Sequence, residues 1–212
     1  MKITKLGHCC LLLEFKGIRI LTDPGMYTVE DHSKLKKINY IFITHEHSDH
    51  YHLDSLRVVL DNNPNALVYT NQSVSDILTR EGIYHHLIKD GDTVLLDDGK
   101  VSVKGVGHKH ATMHKSIPVS DNTGFIFDDS FFYPGDALTD PEQPIDILAV
   151  PVSGPWIKIS EAIDFALMVK PRICFPVHDT LRGDTHHRLP GIVLPQNGIE
   201  FIPMKEGDKH EF

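Results

Sequence analysis

Cysteine is scarce in this chain: 212 residues hold three, the adjacent Cys9 and Cys10 and the solitary Cys174. With no Cys-x-x-Cys pair, zinc-ribbon and thioredoxin-like readings have no support. The three thiols read as small buried hydrophobes. Long apolar runs are absent too, and nothing approaches the roughly 20 apolar residues of a membrane span. The start, Met1-Lys2-Ile3-Thr4-Lys5, lacks the apolar core and cleavage site of a secretory leader, so the expected compartment is the cytoplasm. Positive charge is also in short supply. A formal net charge of −8 argues against a surface built for nucleic-acid phosphates, although it leaves room for a local basic patch. Linkers, low-complexity segments and short-period repeats are missing.

Histidine is what the chain has in excess, with 15 residues, none of them in a terminal tag. The densest cluster is His45-Glu46-His47-Ser48-Asp49-His50, directly after the apolar run Tyr40-Ile41-Phe42-Ile43. Imidazole and carboxylate together suit zinc, manganese or iron. In an extended segment, residues two apart point the same way, so His45 and His47 can grip one ion. Asp49 and His50 lie where the chain must turn, and adjacent side chains diverge. Two neighbouring metal sites are the natural outcome.

The remaining pattern is strands then helices, twice over. Strands are expected at residues 3–6, 9–15 and 18–21, with a hairpin through Gly17 and turn chemistry at Thr22-Asp23-Pro24-Gly25. A polar loop follows to about Lys37, then a continuous apolar strand at 40–43. Helical spacing runs over 54–60, a strand over 66–69, and a second helix follows Asn71 as N-cap with Gly82 as its closing glycine. Further strands are expected near Leu87 and at 93–96, 101–106, 124–127, 131–133 and 145–150. Ser160 is placed to cap a helix from Glu161 to about Val169, ended by Pro171. A last buried strand covers 173–177, a weak one 199–202, and the charged tail 205–211 reads as a solvated end. The first half runs to about Leu96. Two mixed sheets face to face with helices outside, a four-layer α/β sandwich, fit this order in a single domain over 1–212. A parallel βαβ sheet is the alternative.

Two metal sites need more ligands than the hexad holds, and three later strand ends offer them. They are Gly107-His108-Lys109-His110, Tyr133-Pro134-Gly135-Asp136 and Phe175-Pro176-Val177-His178-Asp179. Each has an apolar strand, a bend and then a ligand type, as expected of active residues carried on loops by rigid strands. Taken separately, Asp136 is also compatible with an ordinary turn aspartate and His178 with a satisfied core histidine.

Taken in order, these motifs resemble the metallo-β-lactamase superfamily of binuclear hydrolases. Leu6-Gly7-His8 with Ile20-Leu21-Thr22-Asp23-Pro24 is similar to the branch of ascorbate-6-phosphate lactonases and N-acyl-phosphatidylethanolamine phospholipase D-like enzymes. The resemblance implies an αββα fold and two divalent ions, zinc first, with manganese or iron as alternatives. It implies that His45, His47 and His110 bind one ion, that Asp49, His50 and His178 bind the other, and that Asp136 bridges them. A hydroxide between the ions would be the nucleophile, with Asp49 orienting it and passing its proton to the leaving group. His110 is favoured as the third ligand of the first ion because His-Ala-x-x-His before Ile117-Pro118 resembles a family pattern; His108 and His114 are the alternatives. His8 and Asp23 are candidates for orienting groups beneath the metals. Trp156 is a pocket wall or plain core. His186 and His187 are expected at the surface.

The implied activity is hydrolysis of an ester, lactone or phosphodiester bond in a small-molecule substrate. A nucleic-acid phosphodiesterase is disfavoured by the acidic balance. An iron-dependent sulfur dioxygenase would leave Asp49 and His50 without a task. A non-catalytic, metal-stabilised binding protein would need closed ligand shells.

Overall fold

A two-residue turn starts the first sheet. Strands β2 (Leu11–Phe15) and β3 (Ile18–Thr22) pair antiparallel with Phe15 opposite Ile18, so Lys16 and Gly17 alone connect them. Both have positive φ, 49° and 84°, the mirror-image turn whose twist matches that of the strands. The computed structural model describes residues 1–28, 32–180 and 183–212. Residues 29–31 of the expected polar loop lie outside the described residues.

The chain divides into two units, Met1–Lys89 with Lys205–Phe212, and Asp90–Met204. The first carries β1 (Lys2–Lys5), β2, β3, β4 (Tyr40–Ile43), β5 (Leu67–Thr70), β6 (His86–Leu87) and β14 (Lys209–Glu211), with helices α1 (Leu53–Asn62) and α2 (Gln72–Arg80). The second carries β7 (Thr93–Leu96), β8 (Val101–Val106), β9 (Gly124–Phe127), β10 (Phe131–Tyr133), β11 (Ile147–Pro151), β12 (Ile173–Val177) and β13 (Glu200–Phe201), with helices α3 (Ile159–Val169) and α4 (Arg188–Gln196). Each unit is built on one seven-stranded sheet, in the orders β14-β1-β2-β3-β4-β5-β6 and β13-β12-β11-β10-β9-β8-β7.

The two sheets share a plan. Ladders are antiparallel from β14 to β3 and parallel from β3 to β6; they are antiparallel from β7 to β10 and parallel from β10 to β13. Both sheets are therefore mixed, and a purely parallel βαβ sheet is excluded. Parallel strands need crossovers, and the helices that make them cover a sheet face. Leu56 and Val59 of α1 and Val74 and Leu78 of α2 join Leu12, Leu21, Ile41 and Ile43 in one core. Ala162, Ile163, Phe165 and Ala166 of α3 and Leu194 of α4 join Ile126, Phe132, Leu148 and Cys174 in another. The alternate residues, such as Leu13, Ile20 and Phe42, or Phe125, Phe131 and Phe175, are buried as well, so each sheet is apolar on both faces.

Several expectations are corrected. The division falls before β7 rather than after it, because residues 93–96 pair with β8. The tail is not a solvated end. Its residues 209–211 form β14 against the edge of β1, with Lys2 opposite Glu211, since ladder bonds use the main chain and ignore side-chain polarity. The cap of α3 is Lys158, not Ser160: Glu161, at the third helical position, reaches back to accept from Lys158 N at 2.7 Å. Helix α4 was not anticipated, because Pro190, Gly191 and Pro195 mask its pattern. By contrast, Asn71 caps α2 by accepting from Val74 N at 3.2 Å, and Gly82 follows it with φ of 68°.

The three cysteines are buried and none is in a disulfide. Burial pushes the Cys10 thiol far above its usual range and the Cys174 thiol up to about 12. Both should stay protonated and resist Ellman's reagent at pH 8 in the folded chain, then react within seconds in denaturant. Rapid labelling of either in the folded state would contradict this packing. Phe175, fully buried and stacked on Phe131 with centroids 5.9 Å apart, should cost about 3–5 kcal/mol on replacement by Ala, read from urea unfolding curves.

Candidate metal centre

The first unit's contribution starts at the ends of β3 and β4. Asp23 follows β3 with φ of 38°, and its N donates to Phe42 O at 3.0 Å. Its fully buried carboxylate accepts from Thr44 N (2.8 Å), from Thr44 Oγ1 (2.7 Å) and from His50 Nδ1 (2.7 Å). Thr44 Oγ1 also lies 3.0 Å from His45 Nδ1. A hydroxyl has one hydrogen, and here it goes to Asp23; toward His45 the oxygen therefore accepts, and Nδ1 carries the proton. Both rings are thus fixed with Nδ1 protonated and the Nε2 lone pair turned outward, as carboxylate–histidine–metal arrangements require.

His45 Nε2 lies 3.1 Å from His47 Nδ1. Two nitrogens on one tetrahedral zinc, at bonds of about 2.0–2.1 Å, sit about 3.3 Å apart. Asp49, partly exposed, places Oδ2 3.4 Å from Nε2 of the buried His8. The ligand-type atoms of His8, Cys9 and His50 lie within 4.8 Å of one another. Cys9, expected as a mere hydrophobe, therefore stands among metal-binding groups.

Gly25 holds this arrangement together in a way the sequence only hinted at by turn chemistry. A Cβ there would sit 1.8 Å from Asp49 O, so only glycine lets residues 23–26 lie against the hexad. Met26 N donates to Ser48 O (2.9 Å) and His52 N to Pro24 O (3.3 Å) across the same contact.

The second unit's contribution comes from the ends of β8, β10 and β12. Of the three histidines after β8, His110 is buried, whereas His108 and His114 are exposed. His110 Nδ1 donates to Ala111 O at 2.6 Å, which leaves the lone pair on Nε2. That Nε2 is 3.3 Å from Asp136 Oδ2, and His178 Nε2 is 3.0 Å from the same oxygen. Lone pairs of an imidazole nitrogen and a carboxylate oxygen repel at this distance unless a cation or a proton lies between them. The donor set thus fits a divalent ion with nitrogen and oxygen ligands.

Backbone geometry supports the cluster. Gly135 has φ of 64° and His178 φ of 58°, a left-handed conformation that is costly for a non-glycine residue and is concentrated at functional sites. Asn122, buried and not anticipated, accepts from Asp136 N and donates to Pro134 O, both at 2.9 Å, so it fixes the bend that aims Asp136. Trp156, buried, packs edge-on against His110 and His178, at 5.4 and 5.7 Å. His187 is buried, against expectation: Nε2 pairs with Asp179 Oδ2 at 2.6 Å, while His186 Nδ1 donates to Val152 O at 2.8 Å. These bonds fasten the start of α4 to the ends of β11 and β12. Thr44 and Asn122 are the residues that pattern reading missed; each adjoins a motif but carries no ligand chemistry of its own.

Known proteins share this chain's sequence family and fold. A family model described as the β-lactamase superfamily domain matches residues 2–178. Protein Rv0786c of Mycobacterium tuberculosis is 36% identical over 186 residues, covering 85% of each chain. A UPF0173 metal-dependent hydrolase of Carboxydothermus hydrogenoformans is 27% identical, covering 84% of each chain. A crystal structure from Parabacteroides distasonis, assigned to the metal-dependent hydrolases, is similar with a TM-score of 0.78 and 27% identity, over 97% of this chain and 93% of that one. Two mixed seven-stranded sheets with four helices match the fold of that group. The chain belongs to the metallo-β-lactamase superfamily and is a metal-dependent hydrolase.

Proposed function

We propose that the chain is a single-domain, binuclear hydrolase that cleaves an ester, lactone or phosphodiester bond in a small substrate. The ligand set is the one the family resemblance implies: His45, His47 and His110 for one ion, Asp49, His50 and His178 for the other, and Asp136 shared by both. The observation that carries this reading is the orientation of the imidazoles. Asp23 and Thr44 turn the Nε2 atoms of His45 and His50 outward, and Ala111 O does the same for His110. Zinc is the first candidate and manganese the second, since nitrogen and oxygen donors accept both.

When bound, the ions would acidify and orient a water molecule and polarise the scissile carbonyl or phosphoryl oxygen. The chain's residues supply the rest. The Asp49 side chain is partly solvent-exposed with Oδ2 3.4 Å from His8 Nε2, a position from which it would take the proton of the attacking water and return it to the leaving group. Asp136 keeps His110 and His178 facing one oxygen. Trp156 covers the edge of both rings and excludes solvent from that side.

The first test is an activity screen of the metal-reconstituted chain on phosphodiester, phosphate-monoester, lactone and thioester substrates. Chelation should abolish turnover and readdition of zinc or manganese should restore it. Asp136→Ala should reduce kcat by at least a thousandfold with an unchanged circular-dichroism spectrum, and full activity in this variant would sink the shared-ligand role. His45→Ala should lower the metal content measured by plasma mass spectrometry.

Thr44→Val keeps the shape of the side chain but removes the hydroxyl that fixes His45. Metal affinity should fall by about 10–100-fold, measured by competition with a chromogenic chelator. An unchanged affinity would show that the hydroxyl does not set the ring orientation.

A further inference from the structure

The first unit has a pocket of about 470 Å3 at the opposite end of β4 from the histidine motif. Asn39 precedes β4 and His45 follows it, six residues of largely extended chain that span about 20 Å. The pocket is therefore separate from the ligands discussed above. Its lining includes Arg19, Lys37, Asn39 and the run from Asn62 to Asn65, and no acidic side chain. On a chain of net charge −8, this pocket brings two cations together, and the nearest carboxylate the structure pairs with them, Glu14 beside Arg19 at 3.6 Å, lies outside its lining.

The walls are held from within. Buried Asn63 accepts from Ile38 N (2.9 Å) and donates to Leu35 O and Val59 O (2.8 Å each), so the segment before β4 is pinned to the end of α1. Asn39 Oδ1 accepts from Arg19 N at 2.8 Å, and Asn39 N donates to Arg19 O at 2.9 Å. The oxygen of this side chain is thereby used, which leaves its Nδ2 as the donor available to a ligand. Lys36 Nζ donates to Asn62 Oδ1, and Asn62 Nδ2 to Val58 O at 2.9 Å, so Asn62 is structural. Arg19 Nε is buried and makes no hydrogen bond; Glu14 Oε1 stands 3.6 Å away, and the same carboxylate holds Lys2 at 3.0 Å. Lys37 has no ion pair among the described residues.

We propose that this pocket binds a phosphate group, either as the free anion or as part of a small phosphorylated molecule. Arg19 offers a planar fork suited to two phosphate oxygens, Lys37 a second positive charge, and Asn39 Nδ2 a neutral donor. A phosphate fills only a fraction of the volume, and the remainder suits a sugar-sized group against Gly17 and Pro64. Since the pocket and the histidine motif sit at opposite ends of β4, an occupant would be a ligand in addition to the substrate.

The test follows backbone and side-chain amides of the full chain by nuclear magnetic resonance during titration with inorganic phosphate, ribose 5-phosphate and ribose. Saturable shifts at Arg19, Lys37 and Asn39 with both phosphates, and none with ribose, are expected. Tighter binding of ribose 5-phosphate identifies a phosphorylated molecule as the ligand, and equal binding identifies the free anion. Arg19→Gln with Lys37→Gln should weaken binding at least about tenfold while leaving hydrolysis and the melting temperature unchanged, as both side chains reach solvent. Shifts confined to the histidine motif, shifts that do not saturate, or undiminished affinity in the double variant would overturn the proposal.

Discussion

The first unit depends on one buried carboxylate. Asp23 is fully removed from solvent and would be prohibitively costly there without partners. Three donors meet it: Thr44 N, Thr44 Oγ1 and His50 Nδ1. Satisfying Asp23 joins the end of β3 to the end of β4, sets the proton on His50, and through the threonine hydroxyl sets the proton on His45. Fold energetics and ligand orientation are thus the same set of bonds. Breaking any one leaves a buried charge short of a donor, and losing the threonine hydroxyl or the His50 bond also frees a ring to turn.

Much of this was legible in the sequence, because side chains able to bind a metal are chemically conspicuous. The hexad 45–50, the bend before Asp136 and the histidine after the strand at 173–177 were readable as residue types placed just past apolar runs. The strands at 40–43, 101–106, 124–127, 131–133 and 173–177 were legible to the residue, since aromatic and β-branched side chains dominate these short runs. His110 could be preferred over His108 and His114 only through resemblance. Its burial, which separates it from the other two, depends on Ser120 and Asp136 fastening the chain around it: His110 N donates to Ser120 O at 3.0 Å and Ala111 N to Asp136 O at 2.8 Å.

What was not legible lacks a local signature. The segment 209–211 is charged and reads as solvated, yet an exposed edge of β1 accepts any backbone that can offer matched amides. Helix α4 contains two prolines and a glycine, and its formation rests on Leu194 entering the second core and on His187 anchoring its start to Asp179. Thr44 and Asn122 are ordinary polar residues in the sequence. Their importance arises only when a distant carboxylate or main-chain bend comes within hydrogen-bonding reach, 21 residues away for Thr44 and Asp23 and 14 for Asn122 and Asp136.

The shared plan of the two sheets places Asp23 and Asp136 in equivalent positions. Each follows the strand at which antiparallel pairing gives way to parallel, β3 in one unit and β10 in the other. At such a switch the chain leaves the C-terminal edge of a strand whose neighbour turns away, and a short loop can present a side chain there. The two aspartates nonetheless do different work, and their partners decide which. Asp23 is saturated by protein donors, with Thr44 and His50 taking both of its oxygens, so it can only orient other groups. Asp136 Oδ2 instead faces Nε2 of His110 and Nε2 of His178, and at His110 the proton sits on the opposite nitrogen. A carboxylate met by donors is a fastening, whereas one met by a nitrogen lone pair needs a cation or a proton between them. The same residue type in the same topological slot is therefore a fastening in one unit, and in the other it is placed for the metal-ligand role proposed above.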